Sequence, residues 1–407
     1  MSNAWYIVKK DGMRMERLVY FFQSASAGGV LLLVAAIFGI IMANSGMAPY
    51  YFGFLHLEAG PLPIHLWIND VFMAIFFLLV GLEVKREMID GELNTNAKRF
   101  LPGIGAFFGL SVPAIIYGLF NGGHGEFIHG WAIPTATDIA FAIGIVSILG
   151  SRVPVAMKVF LTTLAVMDDL MAIVIIAIFY TDSLQFMYLG GAAVIIAVLF
   201  YINKQNYHRP VPYILLGIGL WFCIFQSGLH ATLAGVILAM TIPFKSIHEG
   251  KVVYPLMEWE HKLSNWVTFL IVPVFGFANA GVSAGNFTFQ DLFHPVVLGV
   301  AVGLFVGKQI GVFGTMYVLV KTKIVDMPHN TTWGHVYGIA LCCGIGFTMS
   351  LFVDLLAFPP GEAQEMAKIG IFMGSITSGL CGYVVLRYFT KHPDKVPPVL
   401  GEHKNFE

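Results

Sequence analysis

The chain has 407 residues, 57% of them hydrophobic and only 12% charged, with a net charge of −1. Soluble domains are about 25% charged, so this composition excludes them and makes the chain an integral membrane protein of α-helices. A nucleic-acid partner is not expected. The four cysteines, Cys223, Cys342, Cys343 and Cys381, all fall inside apolar runs. They form neither a metal-ligand spacing nor a disulfide framework.

Residues 1–17 are too polar for a cleaved signal peptide. Apolar windows predict about twelve spans, at 28–44, 66–82, 100–120, 131–149, 159–181, 184–201, 211–225, a segment ending at 244, 266–282, 295–320, 336–355 and 366–389. They form one transmembrane domain over 24–390, between polar tails at 1–23 and 391–407. Lysine and arginine test this count. All but Lys308 and Lys368 of the 23 basic residues fall in alternate loops, the tails, or the span ends beside them. The opposite loops, such as 121–130, have none. By the positive-inside rule that basic face is cytoplasmic, and both termini lie on it.

Charges at three places break the apolar pattern. The fifth span, VFLTTLAVMDDLMAIVIIAIFYT, carries Asp168 and Asp169 near its middle. Two acids at the bilayer midplane cost several kcal/mol unless they are protonated or bind a cation. As neighbours on a helix they sit at nearly one depth and can share one ligand. Lys308 lies deep in the tenth span, too far from either end to snorkel easily, and one of those acids is its available partner. Asp138 follows Pro134 in WAIPTATDIAF, where the missing amide donor breaks the fourth span and Thr135 and Thr137 can bond freed backbone groups. The eleventh span has a comparable weak point at CCGIGFTMSLF. Broken helices in two halves of a chain point to a transporter site, with an acid suited to N-terminal helix ends and a cation to C-terminal ones.

These residues carry a resemblance. FFLLVGLEVKRE at Phe76–Glu87, WAIPTATDIAFAIG at Trp131–Gly144, LGSRVP at Leu149–Pro154, DDL at Asp168–Leu170, SGLHATLAGV at Ser227–Val236, FGFANAGV at Phe275–Val282 and CGIGFTMSLF at Cys343–Phe352 occur in one order. In them the chain resembles the NhaA-type bacterial sodium–proton antiporters. The resemblance implies twelve helices with inverted repeats over spans three to five and ten to twelve, and two discontinuous crossing helices. It places the ion and proton site on Asp168, Asp169, Asp138, Thr137 and Lys308, with Asp168 and Asp169 holding Na+. It also implies a cytoplasmic pH-sensing group at Glu83, Arg86, Glu87, Glu260 and His261, which composition alone reads as a solvated loop. Ser264 stands where some members have another histidine.

The expected activity is exchange of cytoplasmic Na+ or Li+ for external protons, electrogenic and pH-regulated, by competition at Asp168 and Asp169. No cofactor is expected. The partners are the lipid bilayer and the transported ions, and a homodimer is compatible with the sequence. The expected location is the bacterial inner membrane. Two other classes use buried acids. An intramembrane aspartyl protease needs acids facing each other from separate helices, and a cation channel needs a continuous filter of oxygens.

Overall fold

The structure is a computed structural model, and it describes residues 26–181, 184–248, 251–282, 288–328 and 330–390. The two polar tails lie outside the described residues. The helices are α1 (Ser26–Ala43), α2 (Ala48–His56), α3 (Ile64–Ile89) and α4 (Asn96–Asn121), then α5 (Ile139–Ile148) after a 3-10 helix over Gly125–Thr135. There follow α6 (Val155–Phe179), α7 (Phe186–Lys204), α8 (Pro210–Gln226), α9 (Leu233–Thr241), α10 (Pro255–Trp266), α11 (Val272–Asn279) and α12 (Pro295–Lys321). The last three are α13 (Trp333–Cys343), α14 (Phe347–Ala357) and α15 (Glu362–Tyr388). Two antiparallel strand pairs, at 58–63 and 246–253, occupy connections only.

By length and composition, seven helical stretches among the described residues can cross a membrane, or nine if two bent helix pairs each count as one span. One bent pair is α1 with α2, folded back by 112°, and the other joins the 3-10 helix to α5 at 41°. The α2 turn was not legible in the apolar windows. Two other boundaries differ from the sequence reading. Helix α3 continues through GLEVKRE to Ile89, because Val84 and Glu87 pack inward there. The ninth apolar segment is entered from Pro255 rather than Trp266, since α10 runs through a π turn at Val267–Ile271 directly into α11.

Helix α14 and the 3-10 helix pack together at the centre, and α4, α12 and α15 enclose them. On the other side α9 packs along α3, and α11 along α1. Lipid supplies no hydrophobic drive between helices, so close backbone approach has to hold them. A Cβ on Gly235 of α9 would strike the Ala74 carbonyl of α3, and one on Gly311 of α12 would strike the Phe108 carbonyl of α4.

Both contacts are backbone, which cannot swing aside. Gly235→Val is therefore expected to destabilise the protein by roughly 1–3 kcal/mol, typical of overpacking. The check is the melting temperature in detergent, and an unchanged melt would contradict this packing.

Candidate functional site

The site is built where the two helix breaks meet. The 3-10 helix ends at Thr135 and α5 begins after Asp138, while α13 ends at Cys343 and α14 begins at Phe347. The first break is extended at Ala136 and Asp138, the second is a tight turn through Gly344 and Gly346, and the two are joined across the gap. The Asp138 amide donates to the Ile345 carbonyl at 2.6 Å, and the Thr137 hydroxyl donates to the Cys343 carbonyl at 2.9 Å. Ser350 Oγ donates to the Ile133 carbonyl at 2.7 Å. Each bond satisfies a carbonyl that a broken helix leaves open, which lipid cannot do.

Asp138 lies at both N-terminal ends. Its Oδ1 accepts from the Phe141 amide of α5 at 3.1 Å. Its Oδ2 accepts from the Thr348 amide of α14 at 3.0 Å and from the Thr348 hydroxyl at 2.5 Å. One carboxylate thus faces two positive helix ends, each equivalent to about half a charge. Ser375 of α15 supports the same turn, its Oγ accepting from the Gly346 and Phe347 amides at 3.2 Å each.

Lys308 lies opposite. It sits between two π turns of α12, Gly303–Gly307 and Gln309–Phe313, which widen the helix around it. Its ammonium, 0% exposed, pairs with Asp168 Oδ2 at 2.8 Å and also donates to the Thr135 carbonyl at the end of the 3-10 helix. Pairing with a buried acid and offsetting a C-terminal helix end are the two roles open to a midplane lysine, and this one makes both contacts.

Asp168 and Asp169 are 1% and 2% exposed, midway along α6. Each keeps a buried Oδ1 with no hydrogen-bond partner among the described residues. The charges of Asp168, Glu83, Asp138 and Lys308 all act on Asp169. An orphaned carboxylate oxygen in a poorly hydrated interior calls for a proton or a cation. Both acids are on one helix, so they do not face each other across a substrate as a protease dyad must. A lysine ammonium held against Asp168 is equally foreign to an open cation filter.

The charged group around Arg86 is a helix-borne network rather than a solvated loop. Arg86 Nε on α3 donates to both carboxylate oxygens of Glu260 on α10, at 3.0 and 2.9 Å. Arg86 Nη1 meets Glu87 at 2.7 Å, and Glu87 accepts from the Glu92 amide at 2.9 Å. Glu83 lies one turn before Glu87, and its charge acts on Glu260 as well as Asp169. His261 is exposed, and among the described residues no hydrogen bond or ion pair joins it to the group. Sequence reading missed Ser375, which is one of many hydroxyls in an apolar helix and gives no signal. It also missed Asp354 of α14, a buried acid in an apolar run, where the signal was present.

A helical membrane bundle with two broken helices meeting beside buried acids and a lysine is the build of a secondary active transporter, not of an enzyme. Comparison with known proteins gives the family. The family model "Na+/H+ antiporter 1" matches residues 19–386, and the chain belongs to that family. It is 51% identical over 368 residues to a Na+/H+ antiporter NhaA of Nitrobacter hamburgensis, covering 90% of each chain. A Caulobacter vibrioides NhaA is 48% identical, with 95% of this chain and 94% of that one covered. Among solved structures, the sodium proton antiporter MjNhaP1 of Methanocaldococcus jannaschii shares the fold. Its TM-score is 0.54 at 16% identity, covering 92% of this chain and 98% of that one.

Removing the Lys308 ammonium leaves Asp168 buried and uncompensated, which costs about 3–5 kcal/mol for a buried pair. Lys308→Gln is therefore expected to lower the melting temperature in detergent clearly. A melt matching the parent would mean that Asp168 is not left as an uncompensated buried charge.

Proposed function

We propose that the chain exchanges Na+ or Li+ for protons, with Asp168 and Asp169 binding either the cation or protons but not both. The observation that carries this reading is the pair of buried, unpartnered oxygens beside a carboxylate already held by Lys308. Carboxylate, hydroxyl and backbone oxygens suit a hard cation. When the cation arrives, Asp168 exchanges its ammonium partner for the ion. Asp169, facing the neighbouring acid charges, gives up its proton. Asp138 and Thr137 keep the crossing in shape while this happens. If the site opens to one side at a time, exclusive occupancy is enough to couple the two fluxes.

The proposed frame has twelve spans, with spans three to five and ten to twelve as inverted repeats and both termini cytoplasmic in a bacterial inner membrane. The bias of basic residues to one face, all but Lys308 and Lys368, supports that orientation. More than one proton per Na+ makes the exchange electrogenic, so membrane potential drives it at about 2.3 kcal/mol per charge per 100 mV. The proposed pH control runs through α3. The Arg86–Glu260 tie fixes its cytoplasmic end against α10, and Glu83 on the same helix acts on both Glu260 and Asp169.

Asp168→Asn and Asp169→Asn are each expected to abolish Na+-driven proton movement in proteoliposomes while the protein still inserts. The amides keep the shape and remove the charge and the proton. Exchange at the parent rate in either variant would refute the site.

Glu260→Gln is expected to displace the activity–pH profile and spare the maximal rate, while His261→Gln, outside the network, has the smaller effect. Profiles that coincide with the parent's for both variants would return the group to a plain surface network.

A further inference from the structure

A second buried acid lies in the same short helix as the crossing. Asp354 of α14 is 0% exposed, and neither of its carboxylate oxygens has a hydrogen-bond partner among the described residues. It stands six residues beyond Thr348, roughly 9 Å along the helix axis, on the side away from the basic face. Lys368 of α15, half-buried, is near enough for its charge to act on Asp354, with no ion-pair contact between them. Lys368 is also the one basic residue besides Lys308 that the cytoplasmic distribution leaves over.

The other facing groups are few. Tyr117 of α4 senses the Asp354 charge, and its hydroxyl donates to the Phe127 carbonyl at 2.7 Å. Glu365 sits beside Lys368 on α15. The 3-10 helix carries Glu126 and His129 only on its exposed first turns, and α11 carries no titratable group.

A carboxylate sealed from water with no donor needs a ligand or a counter-charge. Asp354 has no second carboxylate beside it as Asp168 has in Asp169, whereas a proton needs only one oxygen. Inward along α14, Ser350 is one turn away on the same face, and Thr348, on the opposite face of the helix, has its hydroxyl on Asp138. Two hydroxyls on α14 therefore lie in depth between Asp354 and the crossing.

We propose that Asp354 is an outer proton station in series with Asp168 and Asp169, with Lys368 setting its charge. This rests on the antiport reading. A hydronium from the outer water gives its proton to an Asp354 carboxylate oxygen, forming the O–H bond and leaving water. That bond then breaks as the proton passes inward to the Asp168/Asp169 carboxylates, and Asp354 is left ready for the next.

The test uses full-length protein in proteoliposomes, with exchange rate measured against outer pH at fixed inner pH and saturating Na+. Asp354→Asn is expected to slow exchange by about tenfold or more at alkaline outer pH, where protons are scarce, and much less at acid outer pH. Its KM for Na+ should match the parent's, and Asp354→Glu should restore the profile. Lys368→Met removes the charge that opposes protonation, so its rate profile should move toward alkaline outer pH. An Asp354→Asn profile superimposable on the parent's would overturn the proposal. So would a uniform loss at every outer pH that Asp354→Glu fails to rescue, which marks a structural role. Na+-triggered proton release from the purified parent in detergent checks the antiport reading separately; its absence would sink that reading, and its persistence in Asp354→Asn keeps the two questions apart.

Discussion

An ammonium and a carboxylate buried together at the middle of a membrane set the terms for everything around them. The Lys308–Asp168 contact of 2.8 Å is tolerable only because each partner has the other and because the ammonium also reaches the Thr135 carbonyl. Buried ion pairs seldom gain net stability over apolar packing, whereas losing one partner is expensive. The pair is therefore poorly explained as a source of stability. In the proposed antiport cycle it is the contact that an arriving cation replaces.

The two broken helices supply what that exchange requires. A continuous helix satisfies its own backbone and offers an ion nothing. Breaking the chain at 136–138 and 344–346 exposes four helix ends, and each is answered by a specific group. Asp138 answers the two N-terminal ends, Lys308 the C-terminal end at Thr135, and the Thr137 hydroxyl the end at Cys343. Because one carboxylate spans both N-terminal ends, a shift of either half-helix is felt by the other. The α12 backbone contributes as well, since its π turns and close-approach glycines bring Lys308 to the crossing without a bulky neighbour in between.

Much of this was legible in the chain because the bilayer imposes a strict length and polarity. Every apolar window falls largely on helix, and four of the charges inside those windows, Asp138, Asp168, Asp169 and Lys308, are found together. What escaped has physical reasons. Helix α2 is short and aromatic and folds back at a turn no hydropathy window resolves. Helix α10 is amphipathic and charged, so a membrane scan reads it as a loop although it is continuous with α11. Sequence fixes the depth of Lys308 but not its neighbours, so two roles stayed open that the structure fills with one side chain. The charged group around Arg86 shows the reverse limit: the resemblance grouped His261 with Glu260, yet consecutive residues on a helix point about 100° apart.

The central claim is that Na+ and protons compete for the same carboxylates. It is tested most directly by measuring the Na+ dissociation constant of the purified protein calorimetrically across a range of pH. Competition predicts that Kd falls as pH rises, by about tenfold per pH unit for each proton displaced, and levels off once the site has lost its protons. A Kd independent of pH over that range would contradict the account.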